Sequence, residues 1–273
     1  MAKVPALSTE QPTSVLGRFK AFLGKFVIAP SPVLFSVREY LLLRPVVFAL
    51  WFHLRRFMLR LSGHAVRSLG ADGEMSSEFV SGKVLPYNLS MLWTIARGRT
   101  ERLMNVLRSI HSLDRRNSSL LVIGPRNEAE LLLLSCYGFP LKKMAAIDLF
   151  SYSPLIDLMD MHALNYPDNS FDVVYSCFVI TYSDQIPRAC EEAARVARDG
   201  ALVVFAFEHL TEGYANKLGV NRLNGGLSDL FKHFEGHIDH IFWQEEFRSG
   251  TSVTCSTVFR IRKPAATAPE MPI

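Results

Sequence analysis

With 273 residues, 49% of them hydrophobic and 21% charged, the chain can bury about 70–75% of its unfolded surface in one or two domains without disulfides or a structural metal. Its four cysteines lack a CxxC pair, which excludes a disulfide framework or a zinc site by spacing and fits a reduced, cytoplasmic setting. The net charge of +4 is uneven: residues 1–70 hold ten Lys or Arg against Glu10 and Glu39, and the remaining 203 hold 20 basic and 24 acidic side chains. That pattern excludes a uniformly basic nucleic-acid binder, so no nucleic-acid partner is expected.

In chain order, residues 1–14 and 264–273 are rich in Pro, Ala and Thr and read as disordered tails. Pro5, Glu10 and Pro12 interrupt the place where a secretory leader would need an apolar core. Residues 15–82 read as a basic, amphipathic helical extension with a linker, and 83–263 as the main domain. The charge-free stretch FVIAPSPVLFSV spans 12 residues and contains Pro30 and Pro32, too short for a membrane span of about 20.

After Pro45 the spacing predicts a helix over 46–61. Val47, Leu50, Trp51, Leu54, Phe57, Met58 and Leu61 form one stripe, with His53, Arg56 and Arg60 opposite. Such a helix can lie in an anionic membrane interface, where Arg55, Arg56 and Arg60 at about 1 kcal/mol each would contribute about 3 kcal/mol. Alternatively it packs its stripe on the main domain and solvates its Arg face. The Gly- and Ser-rich residues 62–82 read as a linker, and 89–113 as one further helix with Leu92, Ile95, Ala96, Leu103, Val106, Leu107 and Ile110 on its apolar face.

From 118 onward strand and helix alternate. SLLVIG (119–124), MAAIDL (144–149), a short element ending near Asp160, FDVVYSCFV (171–179) and ALVVFAF (201–207) read as strands. EAELLLLSCYG (128–138), PRACEEAARVARDG (187–200) and LSDLFKHF (227–234) read as helices. The last two strands, 238–247 and 252–262, flank the short turn 248–250. The prediction is an α/β, Rossmann-like, doubly wound seven-stranded sheet, mostly parallel, with an antiparallel C-terminal hairpin and an N-terminal helical extension.

Ligands of such sheets bind beyond the carboxyl ends of the strands. GPRNEAE (124–130) turns a buried strand directly into a helix, with Gly124 allowing a tight turn and Asn127 and Glu130 at capping-box spacing. Asp148 ends the next strand 24 residues after Gly124, a separation that suits a carboxylate on a ribose diol. Asp160 and Met161 suit an adenine amino group and an apolar contact with its ring. Glu128 and Glu130 in the first helical turn would repel a pyrophosphate and suit an ammonium-bearing ligand, which disfavours a nicotinamide dinucleotide.

Residues 118–262 resemble the class I S-adenosylmethionine-dependent methyltransferases. The resemblance is carried by LLVIGPRNEAE, AAIDLFSYS, IDLMDMHALNYPDNSFDVVYSCFVI and EEAARVARDGALVVF, most specifically by Asp160 followed by PDNSFDVV. It implies S-adenosylmethionine as cofactor, with Gly124, Arg126 and Asn127 near its methionine part, Asp148 and Leu149 at the ribose, Asp160 and Met161 at the adenine, and Cys177 and Phe178 lining the pocket. Family members usually carry an acidic residue where Val122 stands and further glycines where Arg126 and Glu128 stand. Arg126 either reaches the cofactor's carboxylate or fills the pocket.

The implied activity is methyl transfer to a small-molecule or lipid-linked acceptor. The alternative is a non-catalytic binding or scaffold protein of the same fold, with its N-terminal helix serving a membrane or partner. Tyr182, Glu208 and His209 follow strand ends and are candidate catalytic residues. The Asn-Pro-Pro-Tyr signature of methylation on bases or glutamine is absent, since the equivalent place reads SCFVITY. His233, His237 and His240 read as a surface patch rather than metal ligands, and no metal is expected. No GxSxG nucleophile elbow occurs, which argues against a hydrolase.

Overall fold

The computed structural model describes residues 40–69, 85–210, 223, 225–250 and 252–263. The expected tails 1–14 and 264–273, the start of the extension and most of the linker lie outside the described residues. Residues 49–273 form one compact unit.

The sheet grows from short apolar runs that cannot leave water any other way. Strand β2 (Leu120–Ile123) is buried along its whole length, as parallel strands covered on both faces are. It lies between β3 (Met144–Asp148) and β6 (Phe171–Cys177), paired in parallel with both. Beyond β3 comes β5 (Asp157–Leu158), also parallel. Beyond β6 comes β7 (Ala197–Leu210), followed by the antiparallel pair β9 (Ser252–Ile261) and β8 (Ile238–Ser249). The order β5-β3-β2-β6-β7-β9-β8 is the predicted seven-stranded sheet with its antiparallel edge. It reverses between β2 and β6, where a ligand crevice opens.

Two-residue alternation sends Leu121, Ile123, Val174, Val203 and Phe205 to one face, against Ala189, Cys190, Ala193 and Val196 of α5 (Ile186–Val196) and Leu227 and Leu230 of α6 (Leu227–Lys232). Tyr175 points to the other face, where its hydroxyl donates to the Thr100 carbonyl at 3.3 Å in α3 (Arg97–Ser109). Helix α4 (Glu128–Cys136) accompanies α3 there.

The extension differs most from expectation. Residues 89–113 are not one helix but α2 (Leu85–Met91) and α3, broken between them. The Asn127 amide takes the carbonyls of Leu92 and Thr94, at 2.8 and 3.0 Å, and those carbonyls are lost to a helical ladder. The expected linker contains a strand: β1 (Arg67–Ser68) pairs antiparallel with β4 (Phe150–Ser151). The helix expected to close at Gly200 ends at Val196, and β7 begins at once because Ala197 pairs with Phe171.

Helix α1 (Pro45–Leu61) forms as predicted, but the side that packs is not the predicted stripe. Phe52 is buried, Leu59 joins Leu92, Phe150 and Tyr152, and the Arg56 guanidinium lies 3.4 Å from the Trp93 ring centre. Arg55 Nε meets Glu128 Oε1 at 3.0 Å. Leu50, Leu54, Phe57, Met58 and Leu61 face outward. Neither sequence expectation survives whole: the helix docks, yet through Phe52 and two arginines. Of the three arginines expected to serve an anionic surface, Arg55 and Arg56 are engaged by the domain.

Candidate functional site

The carboxyl ends of β2, β3 and β6 converge on a pocket, and two backbone constraints sit there. Gly124, directly after β2, has φ of +66° and donates its N–H to the Ile147 carbonyl at 2.9 Å. A Cβ at this position would lie 2.4 Å from Val179 Cγ2 and 2.7 Å from Val179 Cβ, so both conformation and space demand glycine. Phe178, directly after β6, has φ of +59°, held by its N–H on the Ala206 carbonyl at 2.6 Å. A left-handed bulky residue persists only where its surroundings impose it, and such strain gathers at functional sites.

The pocket is lined by Gly124, Arg126, Asp148, Leu149, Asp160, Met161, Phe178 and Tyr182 among the residues read from the sequence. Four expected residues are placed elsewhere. Cys177 is buried outside the lining, and its carbonyl accepts from Arg99 Nη2 at 2.7 Å. Asn127 is buried and serves α4: its Oδ1 caps the Ala129 N–H at 2.9 Å while its amide holds Leu92 and Thr94. Glu208 and His209 pair with Thr254 and Val253 along β7 and β9 and do not line the pocket. Of the three catalytic candidates only Tyr182 faces it.

The two carboxylates at the start of α4 have a role the sequence reading missed. Glu128 is fully buried between Arg55 and the Ser153 hydroxyl, which donates to Oε2 at 2.6 Å. Glu130 Oε1 lies 3.4 Å from Arg99 Nε and accepts the Arg126 N–H at 3.0 Å. The capping box is therefore displaced by one residue, from the Asn127 N–H to that of Arg126. Neither carboxylate is free to attract an ammonium-bearing ligand, because Glu128 is paired with Arg55 of the extension and Glu130 with Arg99 of α3.

Asp148 ends β3 with its carboxylate accepting the Leu149 N–H at 2.7 Å. Burial pushes its pKa up to about 7, against the pull of that hydrogen bond and the one from Phe150. Asp160 is tied differently. His162 Nδ1 lies 2.6 Å from Asp160 Oδ1, and its Nε2 lies 2.6 Å from Ser183 Oγ. The hydrogen bond to Asp160 holds the histidine above its ordinary pKa. His162, Arg99 and Asn88 line the pocket as well, and no local sequence signal marked them. Asn88 and Arg99 come from α2 and α3, ahead of the first sheet strand of the pocket, and His162 reads as a loop residue until its contacts are seen. Among the described residues no group of three His, Cys, Asp or Glu is placed to hold a metal.

Comparison with known proteins returns methyltransferases. Residues 140–205 match the family model described as a methyltransferase domain, a stretch that runs from before Asp148 through Asp160 and Phe178 into β7. A malonyl-[acyl-carrier protein] O-methyltransferase of Halorhodospira halophila is 40% identical over 47 residues, which are 17% of this chain and 16% of that relative. Among solved structures, the N-methyltransferase NodS of Bradyrhizobium japonicum with S-adenosyl-L-homocysteine is 16% identical, at 62% coverage of this chain, 89% of that chain and a TM-score of 0.47. The [4+2]-cyclase SpnF is 13% identical, at 77% and 92% coverage and a TM-score of 0.49. The strand order is that of the Rossmann-like fold found in class I S-adenosylmethionine-dependent methyltransferases, and the methyltransferase-domain match falls within that sheet.

Proposed function

We propose that this pocket binds S-adenosylmethionine and that the chain transfers its methyl group to a small-molecule or lipid-linked acceptor. The observation that carries the reading is the conjunction at three strand ends: a glycine whose Cβ would strike Val179, a half-buried carboxyl 24 residues on, and an anchored carboxylate at Asp160. These fit the cofactor part by part. Asp148 would accept from a ribose diol, Asp160 would face the adenine amino group beside Met161, and the Gly124 backbone would approach the methionine part. Glu128, one of the departures from a glycine-rich turn, is drawn into an arginine pair, as is Glu130, and neither lines the pocket.

When bound, the cofactor supplies a methyl group on a sulfonium, open to in-line attack. The chain's own part is mostly alignment, which can supply much of the rate enhancement of a displacement. Phe178, Val179 and Tyr182 line the pocket together, and a tyrosine hydroxyl there can hydrogen-bond and orient an incoming nucleophile. The lipid-linked branch of the acceptor class draws its support from the malonyl-[acyl-carrier protein] O-methyltransferase similarity.

Calorimetric titration with S-adenosylmethionine and S-adenosyl-L-homocysteine tests the reading, followed by incubation with labelled cofactor and candidate acceptors. Saturable binding of both with methyl transfer is expected. No heat at high protein concentration would leave the scaffold reading in place. Arg126 gives a sharper test, because a charge-assisted bond to the cofactor's carboxylate contributes about 1.5–3 kcal/mol. Arg126→Gly is expected to weaken binding about tenfold or more on that scale. Tighter binding would mean that the side chain fills the pocket instead.

A further inference from the structure

The outward side of α1 has no part in the site. At 100° per residue, Leu50, Leu54, Phe57, Met58 and Leu61 fall within an arc of about 100°, wide enough to be a burying face. They are 67, 62, 57, 55 and 67% exposed. The domain cannot be what this arc awaits, because the opposite side already packs through Phe52, Arg55 and Leu59. Single exposed apolar residues are ordinary, whereas a contiguous row marks a contact surface.

Charge decides the kind of contact. Helix α1 contains no acidic residue, and His53 and Arg60, both exposed, border one edge of the arc. Residues 1–70 hold ten basic against two acidic side chains, opposite in sign to the remainder of the chain. No described helix is long and apolar enough to cross a membrane. A 17-residue helix with one apolar arc and a basic edge can instead lie in a headgroup region with that arc sunk about 5–10 Å.

We propose that the outward face of α1 docks on an anionic lipid surface and holds the domain there peripherally. The inward side of the same helix touches Phe150 and Glu128, next to the pocket. Docking would therefore set the pocket close to a membrane that carries lipid-linked acceptors. That last step rests on the proposed methyl transfer, whereas the docking itself does not.

Co-sedimentation of the full chain with vesicles of phosphatidylcholine and phosphatidylglycerol at 3:1 is the test, beside vesicles of phosphatidylcholine alone. Binding to the anionic vesicles is expected, weakening at 1 M salt, where the screening length falls to about 3 Å. The triple variant Leu54→Ser, Phe57→Ser, Leu61→Ser is expected to bind at least about tenfold more weakly, from the apolar area withdrawn. Its cofactor affinity and melting temperature should match those of the unaltered chain, because none of the three touches the domain side. Equal binding by the variant, no binding to anionic vesicles, or indifference to lipid charge would each overturn the proposal. So would a variant that melts early, since the face would then be covered by the chain's own N-terminal segment or by a second copy. Intact vesicle binding with no cofactor binding would overturn only the methyl-transfer reading.

Discussion

Arg55→Met is expected to lower unfolding stability by about 3 kcal/mol, at the lower end of the cost of removing one partner from a buried ion pair. Its partner Glu128 has no exposure and accepts one other side-chain bond, from Ser153. The Arg55 side chain is 32% exposed, so water can replace the lost guanidinium and soften the loss. For a unit of this size the change should appear as a fall of about 6–12 °C in melting temperature. Adding Glu128→Gln should recover most of it, because a neutral amide in the same place no longer needs the arginine. Arg56→Met, which removes a cation over the Trp93 ring, should cost about 1 kcal/mol. If Arg55→Met melts with the unaltered chain, α1 does not hold the domain through Glu128.

The same pair makes the extension hard to remove cleanly. Deleting residues 1–82 would take away Arg55 and leave the Glu128 carboxylate beside Ser153 without its guanidinium. It would also remove Arg67, whose Nη2 donates to the Ser153 carbonyl at 3.3 Å, and the β1 pairing to β4. A truncated chain that fails to bind a vesicle or a cofactor would then report a broken domain. Substitutions on the outward arc leave those contacts in place and separate the roles.

The strands were legible because their information is local. LLVI, AAID and VVYSC are short apolar runs bounded by turn residues, and such runs have few places to go but a covered parallel sheet. The convergence of Gly124, Asp148, Asp160 and Phe178 was legible for the same reason, since each lies at or just past a strand end. What escaped depends on partners far apart in sequence. Glu128 looks like ligand chemistry until Arg55, 73 residues earlier, is found against it. The break between α2 and α3 needs Asn127, 33 and 35 residues away, to claim two carbonyls. Periodicity cannot report either event. The α1 stripe shows a different limit: periodicity found the apolar face correctly, but it carries no information on whether domain or solvent receives that face. Phe52, with aromatic bulk on the side that also bears Arg55, took the domain instead.

Asp148 offers the largest expected effect on the cofactor, with two consequences of opposite sign. Burial holds its pKa at about 7, far above the ordinary 3.8 of an aspartate. Because the folded state keeps the proton longer than the unfolded chain, this group's contribution is most favourable below about pH 4. It is lost as pH rises from there through about 7. Asp148→Asn is therefore expected to raise the melting temperature at pH 8 while leaving it nearly unchanged at pH 4. Cofactor binding should run the other way. A ribose diol donates two hydroxyls, which the ionised carboxylate accepts better than the protonated acid, so binding draws on the deprotonated form. Affinity of the unaltered chain for S-adenosyl-L-homocysteine should rise about tenfold between pH 6 and pH 8 by this linkage. The slope should vanish in Asp148→Asn. Asp148→Ala should bind about one to two orders of magnitude more weakly at pH 8, the measure of a lost hydrogen bond to a charged group at about 1.5–3 kcal/mol. Calorimetry across that pH range reads both quantities. A flat profile in the unaltered chain, or an Asp148→Ala variant that folds and binds as before, would remove Asp148 from the ribose. Greater stability joined to weaker binding would instead mark a carboxylate kept in an unfavourable place for the sake of its ligand.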